Sequence, residues 1–365
     1  MRPAFSSTRQ AAGFAMLLLV ILLLPALLVK PWLPPRSEAY NEEYLGAGCF
    51  PFIHRQIFAE KGDLDIAFIG SSRIWTAVNT PYVQKKLSDE LGRPANVVSL
   101  GWNWAGSDMV YLISRDLLAR RHVRLLVITD EYRPGYPIPH AFTSYLFRYG
   151  EDGHDLDGLA WPTRAAYYAQ ALQGMPRMLL SLMRTNRPAH WPPPQGAWEQ
   201  AYAASRTDGR LGSLSIPYGF GTEKMLNPNF VPFKPEHDVP PEAVRIYSAA
   251  TKDDFNFAGP PTPPEQVFFL KKLADLAAAS GTKLVWLHVP QAEDRHAQAV
   301  PEREGWPERL AGNIRLLGIP PESFLRGISR EDSDKLFYNQ WHLNQNGQEY
   351  FTRAITPALL KLYAP

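Results

Sequence analysis

Cysteine is almost missing from this chain of 365 residues, with Cys49 the only one. A single thiol excludes an intrachain disulfide and any zinc site built on two or more cysteines. The letters LGAGC around it have the form of a lipoprotein cleavage box. They fall well after the apolar N-terminal run instead of ending it, so Cys49 reads as a partly buried thiol. An excess of one charge is missing too. With 38 Lys+Arg against 36 Asp+Glu and no basic tract, the chain lacks the concentrated cationic surface that holds backbone phosphates, which argues against a nucleic-acid partner. No internal repeat is visible, and the His154-Asp155 and His237-Asp238 pairs are adjacent instead of at helical spacing, so neither a metal nor a cofactor is expected.

What is present is apolar and rich in proline. Hydrophobic residues make up 45% of the chain, enough for one large core or two modest ones. The 34 prolines cluster between about residues 131 and 264, which points to a long irregular insertion in a more regular scaffold. At the N-terminus, AAGFAMLLLVILLLPALLV from Ala11 to Val29 is nineteen residues without a charge, about the length that crosses a ~30 Å hydrocarbon layer as a helix. No small-x-small site follows it, so an uncleaved transmembrane helix is expected over a cleaved signal, with Trp32 near the interface and Pro34-Pro35 as a stiff exit. Arg2 and Arg9 precede the run, against Lys30 and Arg36 after it. This bias places the protein in the inner (cytoplasmic) membrane as a single-pass chain, with its globular part on the periplasmic side. The expected organisation is an anchor and exit linker over residues 1–36 and a globular domain over 37–365, with the insertion at 132–263.

Past the anchor, short aliphatic runs alternate with helical patterns. Asp63 to Gly70, Ala95 to Leu100, residues 123 to 131 and TKLVWLHVP (282 to 290) read as buried strands. Helices are expected over Thr80 to Leu91, with Thr80 as N-cap and Pro81 at the first helical position, over Ser107 to Arg121, and over Pro264 to Ala279, stopped by Gly281. Later come a helix near Glu302 to Leu317, a short strand around Phe324 to Ile328, and a closing amphipathic helix from Gln345 to Tyr363. Within the insertion, an amphipathic helix is expected over Arg164 to Met183. This alternation predicts an α/β fold, a three-layer sandwich with a central parallel sheet, whose ligands gather at the carboxyl ends of the strands.

That edge is where the polar residues fall. FIGSSRIW (68 to 75) ends the first strand with Gly70, which permits a sharp turn, followed by Ser71, Ser72 and Arg73. A serine hydroxyl is a weak nucleophile unless an imidazole accepts its proton and backbone amides hold the developing oxyanion. The imidazole is available in FYNQWHLNQNGQEYF (337 to 351), where His342 precedes the last helix and Asn344 stands where a cap is needed.

Gly-x-Ser after the first strand, Leu-Gly after the second, and His-Leu-Asn-x-x-Gly opening the last helix resemble the SGNH or GDSL hydrolase superfamily. Gly-Ser-Ser-Arg, the N-terminal anchor and the long insertion are similar to its membrane-anchored branch, which includes the alginate acetylation proteins and the D-alanyl-lipoteichoic acid transfer protein. The resemblance covers 62 to 131 and 264 to 363, and implies a flavodoxin-like (SGNH-like) arrangement with Ser72 as nucleophile and His342 as base. Oxyanion and substrate contacts would come from Gly70, Ser71, Arg73 and the turn SLGWNWAG, with Gly101 and Asn103. The family's Gly-x-Asn-Asp block after the third strand is absent: Ile128, Thr129, Asp130 and Glu131 stand there. The family's acid, three residues before the histidine, is replaced by Asn339. In a serine protease that exchange lowers turnover about ten-thousandfold. Asp334 or Asp332 could replace it from the preceding loop, Asp130 or Glu131 from across the strand edge, or the site could work as a weakened dyad. Asp334 is preferred, since only a loop change is needed.

The resemblance implies an acyl-Ser72 enzyme that moves an acetyl or similar group from a membrane-embedded donor protein to a polysaccharide hydroxyl. An esterase using water, and a non-catalytic scaffold or glycan-binding subunit, are the alternatives. Trp161, Trp191 and Trp198 in the insertion read first as a satellite core and second as a sugar platform.

Overall fold

The computed structural model describes residues 5–28, 36–40, 50–102, 106–129, 152–171, 231–248, 264–292 and 314–364. Its centre is a six-stranded sheet: β1 (Leu64–Gly70), β2 (Val97–Gly101), β3 (Val123–Thr129), β4 (Arg245–Tyr247), β5 (Lys283–Leu287) and β6 (Arg315–Gly318), in the order β2-β1-β3-β5-β6-β4. All neighbours are parallel except β4, which pairs antiparallel with β6 at one edge. The aliphatic runs predicted this. Ile66, Phe68, Leu126 and Ile128 have no exposed surface, as strands covered on both faces require. Each such side chain contributes about 1.5–3 kcal/mol on burial.

The helices are α1 (Thr8–Leu28), α2 (Phe50–His54), α3 (Ser72–Ala77), α4 (Thr80–Leu91), α5 (Ser107–Leu118), α6 (Pro264–Ala279), α7 (Pro321–Phe324), α8 (Arg330–Asp334) and α9 (Gln345–Tyr363). A further helical stretch covers residues 161–171. Helices α3, α4 and α9 pack together as one group, and α5 packs against α6 as another. From β1 the chain crosses to β2 on one side and then back to β3 on the other. Right-handed crossovers therefore put α4 and α5 on opposite faces, and a crevice opens at the carboxyl ends of β1 and β3. Ser72 follows β1 at that crevice.

Four sequence expectations are corrected. The N-cap of α4 is Asn79, whose Oδ1 accepts the Tyr82 amide at 3.1 Å; Thr80 is helical and buried. The helix expected over Glu302 to Leu317 cannot extend to its end, because Arg315–Gly318 is β6; residues 302–313 lie outside the described residues. Ile314, Leu316, Leu317 and Ile319, buried on either side of an exposed Arg315 and closed by Pro320, form a short strand's pattern. The strand expected at Phe324 to Ile328 is instead the end of α7 and a turn through Gly327 at φ 75°, because Pro320 and Pro321 set up a helix start. The sheet is not purely parallel, since the insertion supplies β4. The helix expected over Arg164 to Met183 is described only to residue 171, and Trp191 and Trp198 lie outside the described residues.

Among the described residues no helix is long and apolar enough to cross a membrane. The helical backbone of α1 covers Thr8–Leu28, and Phe14, Met16, Leu17, Leu18, Leu19 and Val20 on it are exposed. The segment that follows is held to the domain by charge. Arg36 Nε lies 2.7 Å from Asp116 Oδ1 near the end of α5, Arg36 Nη1 lies 3.0 Å from Asp152 Oδ2 in the insertion, and the buried Tyr40 hydroxyl donates to Asp116 at 2.6 Å. Burial alone would lower the Arg36 pKa, but the two carboxylates outweigh it and hold it above the ordinary value.

The final helix is tied back to the first strand. Asp65 accepts Arg93 Nη2 at 2.6 Å, the Tyr363 hydroxyl at 2.6 Å and the Asn96 amide at 2.7 Å. Burial pushes its pKa up, and these three donors more than reverse that, leaving it below its ordinary 3.8. A carboxyl depressed in the fold stabilises it at neutral pH and loses that contribution as the pH falls below the ordinary value. Asp65→Asn is therefore expected to cost about 1–3 kcal/mol in urea unfolding at pH 7. The gap between variant and parent should close as the pH is lowered through about 4 and below.

Candidate active site

Three connections converge on the carboxyl edge of the sheet: the turn from β1 into α3, the segment after β5, and the loop between α8 and α9. The first presents the hydroxyl. Ser71 is the N-cap of α3, its Oγ accepting the Arg73 amide at 3.3 Å, and it is 3% exposed. Ser72 is the first residue of the helix and is half-buried. Gly70 closes β1 opposite Gly101, and its carbonyl accepts the Trp102 amide at 3.1 Å. Gly101 must lack a side chain, because a Cβ there would overlap the Trp75 indole of α3. This lets α3 sit directly on the end of β2.

The loop before α9 presents the imidazole. Phe337 and Leu343 form an antiparallel bridge, the Tyr338 amide donates to the His342 carbonyl at 2.8 Å, and the Asn344 amide donates to the Leu336 carbonyl at 3.0 Å. Asn344 then caps α9, its Oδ1 accepting the Asn346 and Gly347 amides at 2.9 and 3.2 Å while its Nδ2 donates to the Lys335 carbonyl at 2.8 Å. A Cβ at Gly347 would collide with the Leu336 carbonyl, so the helix start is seated against the loop. His342 projects from this closed loop. Its Nε2 lies 2.8 Å from Ser72 Oγ, across 270 residues of sequence.

Asn339 decides which ring nitrogen carries the proton. Its Oδ1 accepts the Trp341 amide at 2.9 Å and the His342 amide at 3.0 Å, and lies 3.0 Å from His342 Nδ1. Backbone N–H groups can only donate, so those two bonds fix the amide with oxygen toward the ring. Nδ1 must then carry hydrogen, and Nε2 faces Ser72 with its lone pair. That is the tautomer a general base needs. An asparagine turned the other way would offer N–H to the ring and impose the wrong one.

The remaining candidates are placed as follows. Arg73 is 5% exposed, and its Nη2 donates to the Val289 carbonyl after β5. Asp334 ends α8 on an exposed position, where its carbonyl accepts the Phe337 amide at 3.3 Å. Asp332 is engaged by Lys335 Nζ at 2.8 Å and the Ser329 hydroxyl at 2.9 Å. The side-chain oxygen at His342 Nδ1 belongs to Asn339, the position that sequence reasoning marked as lacking its acid. Asn103, Asp130 and Glu131 lie outside the described residues. Among the described residues no group of three or more His, Cys, Asp or Glu side chains could hold a metal. Trp161 is 71% exposed, so it is not part of a satellite core.

Sequence reasoning missed the groups that dock the two ends of the chain. Gln348 Nε2 donates to the Trp75 carbonyl at 2.9 Å, the Thr352 hydroxyl donates to the Ala77 carbonyl at 3.1 Å, and the Asn79 amide donates to Thr352 Oγ1 at 3.0 Å. Their i, i+4 spacing on the apolar face of α9 was the available signal: polar residues where the periodicity demands core.

No protein-family model matches this chain, and no curated protein matches it.

Asn339→Ala is expected to release the imidazole and lower the reactivity of Ser72 toward a fluorophosphonate by about tenfold or more, while Asn339→Asp, which can also stabilise the imidazolium, is expected to raise it. Labelling rates of the two variants against the parent check both directions.

Proposed function

We propose that this protein is a membrane-anchored, extracytoplasmic serine acyltransferase that moves an acetyl or similar acyl group onto a polysaccharide hydroxyl through an acyl-Ser72 intermediate. The observation that carries the reading is the 2.8 Å approach of Ser72 Oγ to His342 Nε2, with Nδ1 held by Asn339. The motifs that resemble the SGNH superfamily support it. So does the sheet: counted among themselves, the five parallel strands run 2-1-3-4-5, the flavodoxin-like order, with Ser72 at the switch point. The nineteen-residue uncharged run supports an anchor that would keep the site near a membrane-embedded donor.

The chemistry follows from the tautomer. Ser72 Oγ attacks the acyl carbonyl as its proton passes to His342 Nε2, and the imidazolium then protonates the departing group, leaving an ester on Ser72. A sugar hydroxyl enters, gives its proton to Nε2 and attacks that ester; collapse releases Ser72 Oγ, which recovers the proton. The Ser72 amide, at the start of α3, is the donor that the resemblance assigns to the developing oxyanion. Asn339 orients the ring throughout but carries no charge to stabilise the imidazolium. Turnover should therefore be modest by the standard of triads with an acid. Because Ser72 and His342 are half-buried instead of sealed, water can also reach them, and an esterase using water as acceptor is the second reading.

Ser72→Ala and His342→Ala are each expected to abolish acyl transfer and fluorophosphonate labelling, because members of one catalytic unit fail together. Ser71→Ala removes the cap of α3, a loss of about 0.5–2 kcal/mol, and should still be labelled. Equal loss at both serines would overturn the assignment to Ser72, and no labelling of the parent would favour a non-catalytic role. Acetyl transfer to an oligosaccharide, against release as free acetate, separates transferase from esterase.

A further inference from the structure

Arg73 is adjacent to the nucleophile, yet its side chain turns into the protein. An arginine with 5% of its surface exposed is unusual, since a guanidinium loses much hydration on burial and is kept only where strong acceptors replace it. Here Nη2 donates to the carbonyl of Val289, two residues beyond the end of β5, in a charge-assisted bond. Three residues on, the Ala292 amide donates to the Gln340 carbonyl at 3.1 Å. Gln340 follows Asn339, whose oxygen holds His342 Nδ1. His342 Nε2 closes the circuit on Ser72, the residue before Arg73.

We infer that Arg73 is a positioning residue that helps set the distance and angle between Ser72 and His342, by clamping the segment 289–292, which is hydrogen-bonded to the His342 loop. The inference rests on Ser72 being the nucleophile. Ser72 and Arg73 occupy the same turn of α3, so a pull on the arginine acts on the hydroxyl. On the other side of the circuit, Ala292 ties the β5 exit to the loop 337–343, and a drift of 289–292 would pull on Gln340 and Asn339 and turn the ring. The Ser72–His342 link cannot hold this geometry alone, because one neutral hydrogen bond contributes only about 0.5–1.5 kcal/mol net. Arginine suits the task because its planar fork reaches a buried carbonyl without rotational freedom, which a lysine provides less well.

The test uses the full chain, with the second-order rate of fluorophosphonate labelling at Ser72 measured across pH together with the melting temperature. Arg73→Met is expected to lower the high-pH plateau of the rate by about 100-fold, the loss that a ~1 Å misplacement of reacting groups produces. Arg73→Lys should restore part of that rate, about tenfold. Ala292→Pro, which removes the amide donor to Gln340 from a different link of the circuit, should give a fall of similar size in a folded protein. It decides the matter if Arg73→Met does not fold. A parental rate in Arg73→Met or in Ala292→Pro, or no recovery with lysine, would overturn the inference while leaving Ser72 as nucleophile. Absence of labelling in the parent itself would instead remove the nucleophile, and the inference with it.

Discussion

The site depends on one docking event, the packing of the last helix against the six-residue helix that carries Ser72. Helix α3 is too short to hold itself in place by its own hydrogen bonds, and short helices are marginal without tertiary support. Its C-terminal carbonyls at Trp75 and Ala77 are instead taken by Gln348 and Thr352 of α9, both without exposed surface. Leaving those carbonyls buried and unpaired would cost about 1–3 kcal/mol each, so the two helices are held in one relative position. Because Asn344 caps α9 and the loop 337–343 is closed on itself just ahead of that cap, fixing α9 against α3 brings the His342 loop up to Ser72, and the proposed Arg73 clamp refines the geometry between them. The proximity of the two side chains follows from backbone satisfaction elsewhere.

Within that frame, Asn339 performs one half of what a triad acid performs. Its oxygen, oriented by two backbone amides, selects the ring tautomer and aims Nε2 at the hydroxyl. The other half, a negative charge that stabilises the imidazolium, is missing from the residue at Nδ1. In the proposed transferase, orientation without charge would suit an acyl-enzyme that waits for a polysaccharide acceptor. A weaker base activates water less readily, and binding energy from the acceptor can supply the positioning that speeds transfer.

Most of the scaffold was legible because its signals are local and strong. The aliphatic runs of β1, β3 and β5 and the periodicity of α6 and α9 read correctly to within a few residues, since burial on two faces or one face leaves a direct mark on sequence. Failures came where two signals overlapped. The apolar stretch from Ile314 was drawn into a helix by the pattern before it, and the Pro320-Pro321 pair, which starts α7, was passed over for the aliphatics that follow. Strand β4 has only three residues and owes its conformation to its pairing with β6, so no local pattern announces it. At the site, Ser72 and His342 stood out by motif and by position at strand and helix ends. The orientation of Asn339, the inward turn of Arg73 and the docking by Gln348 and Thr352 are tertiary facts, and a one-dimensional reading cannot say which way an amide or a guanidinium faces.

The central claim is that the folded chain presents Ser72 with a neutral imidazole protonated on Nδ1 and bare on Nε2. Nitrogen-15 NMR of the His342 ring, at a pH where the ring is neutral, measures this directly. The account predicts a protonated-nitrogen shift for Nδ1 and a hydrogen-bonded, unprotonated shift for Nε2, the latter moving when the Ser72 hydroxyl is deleted. A ring protonated on Nε2, or an Nε2 signal indifferent to that deletion, would contradict it.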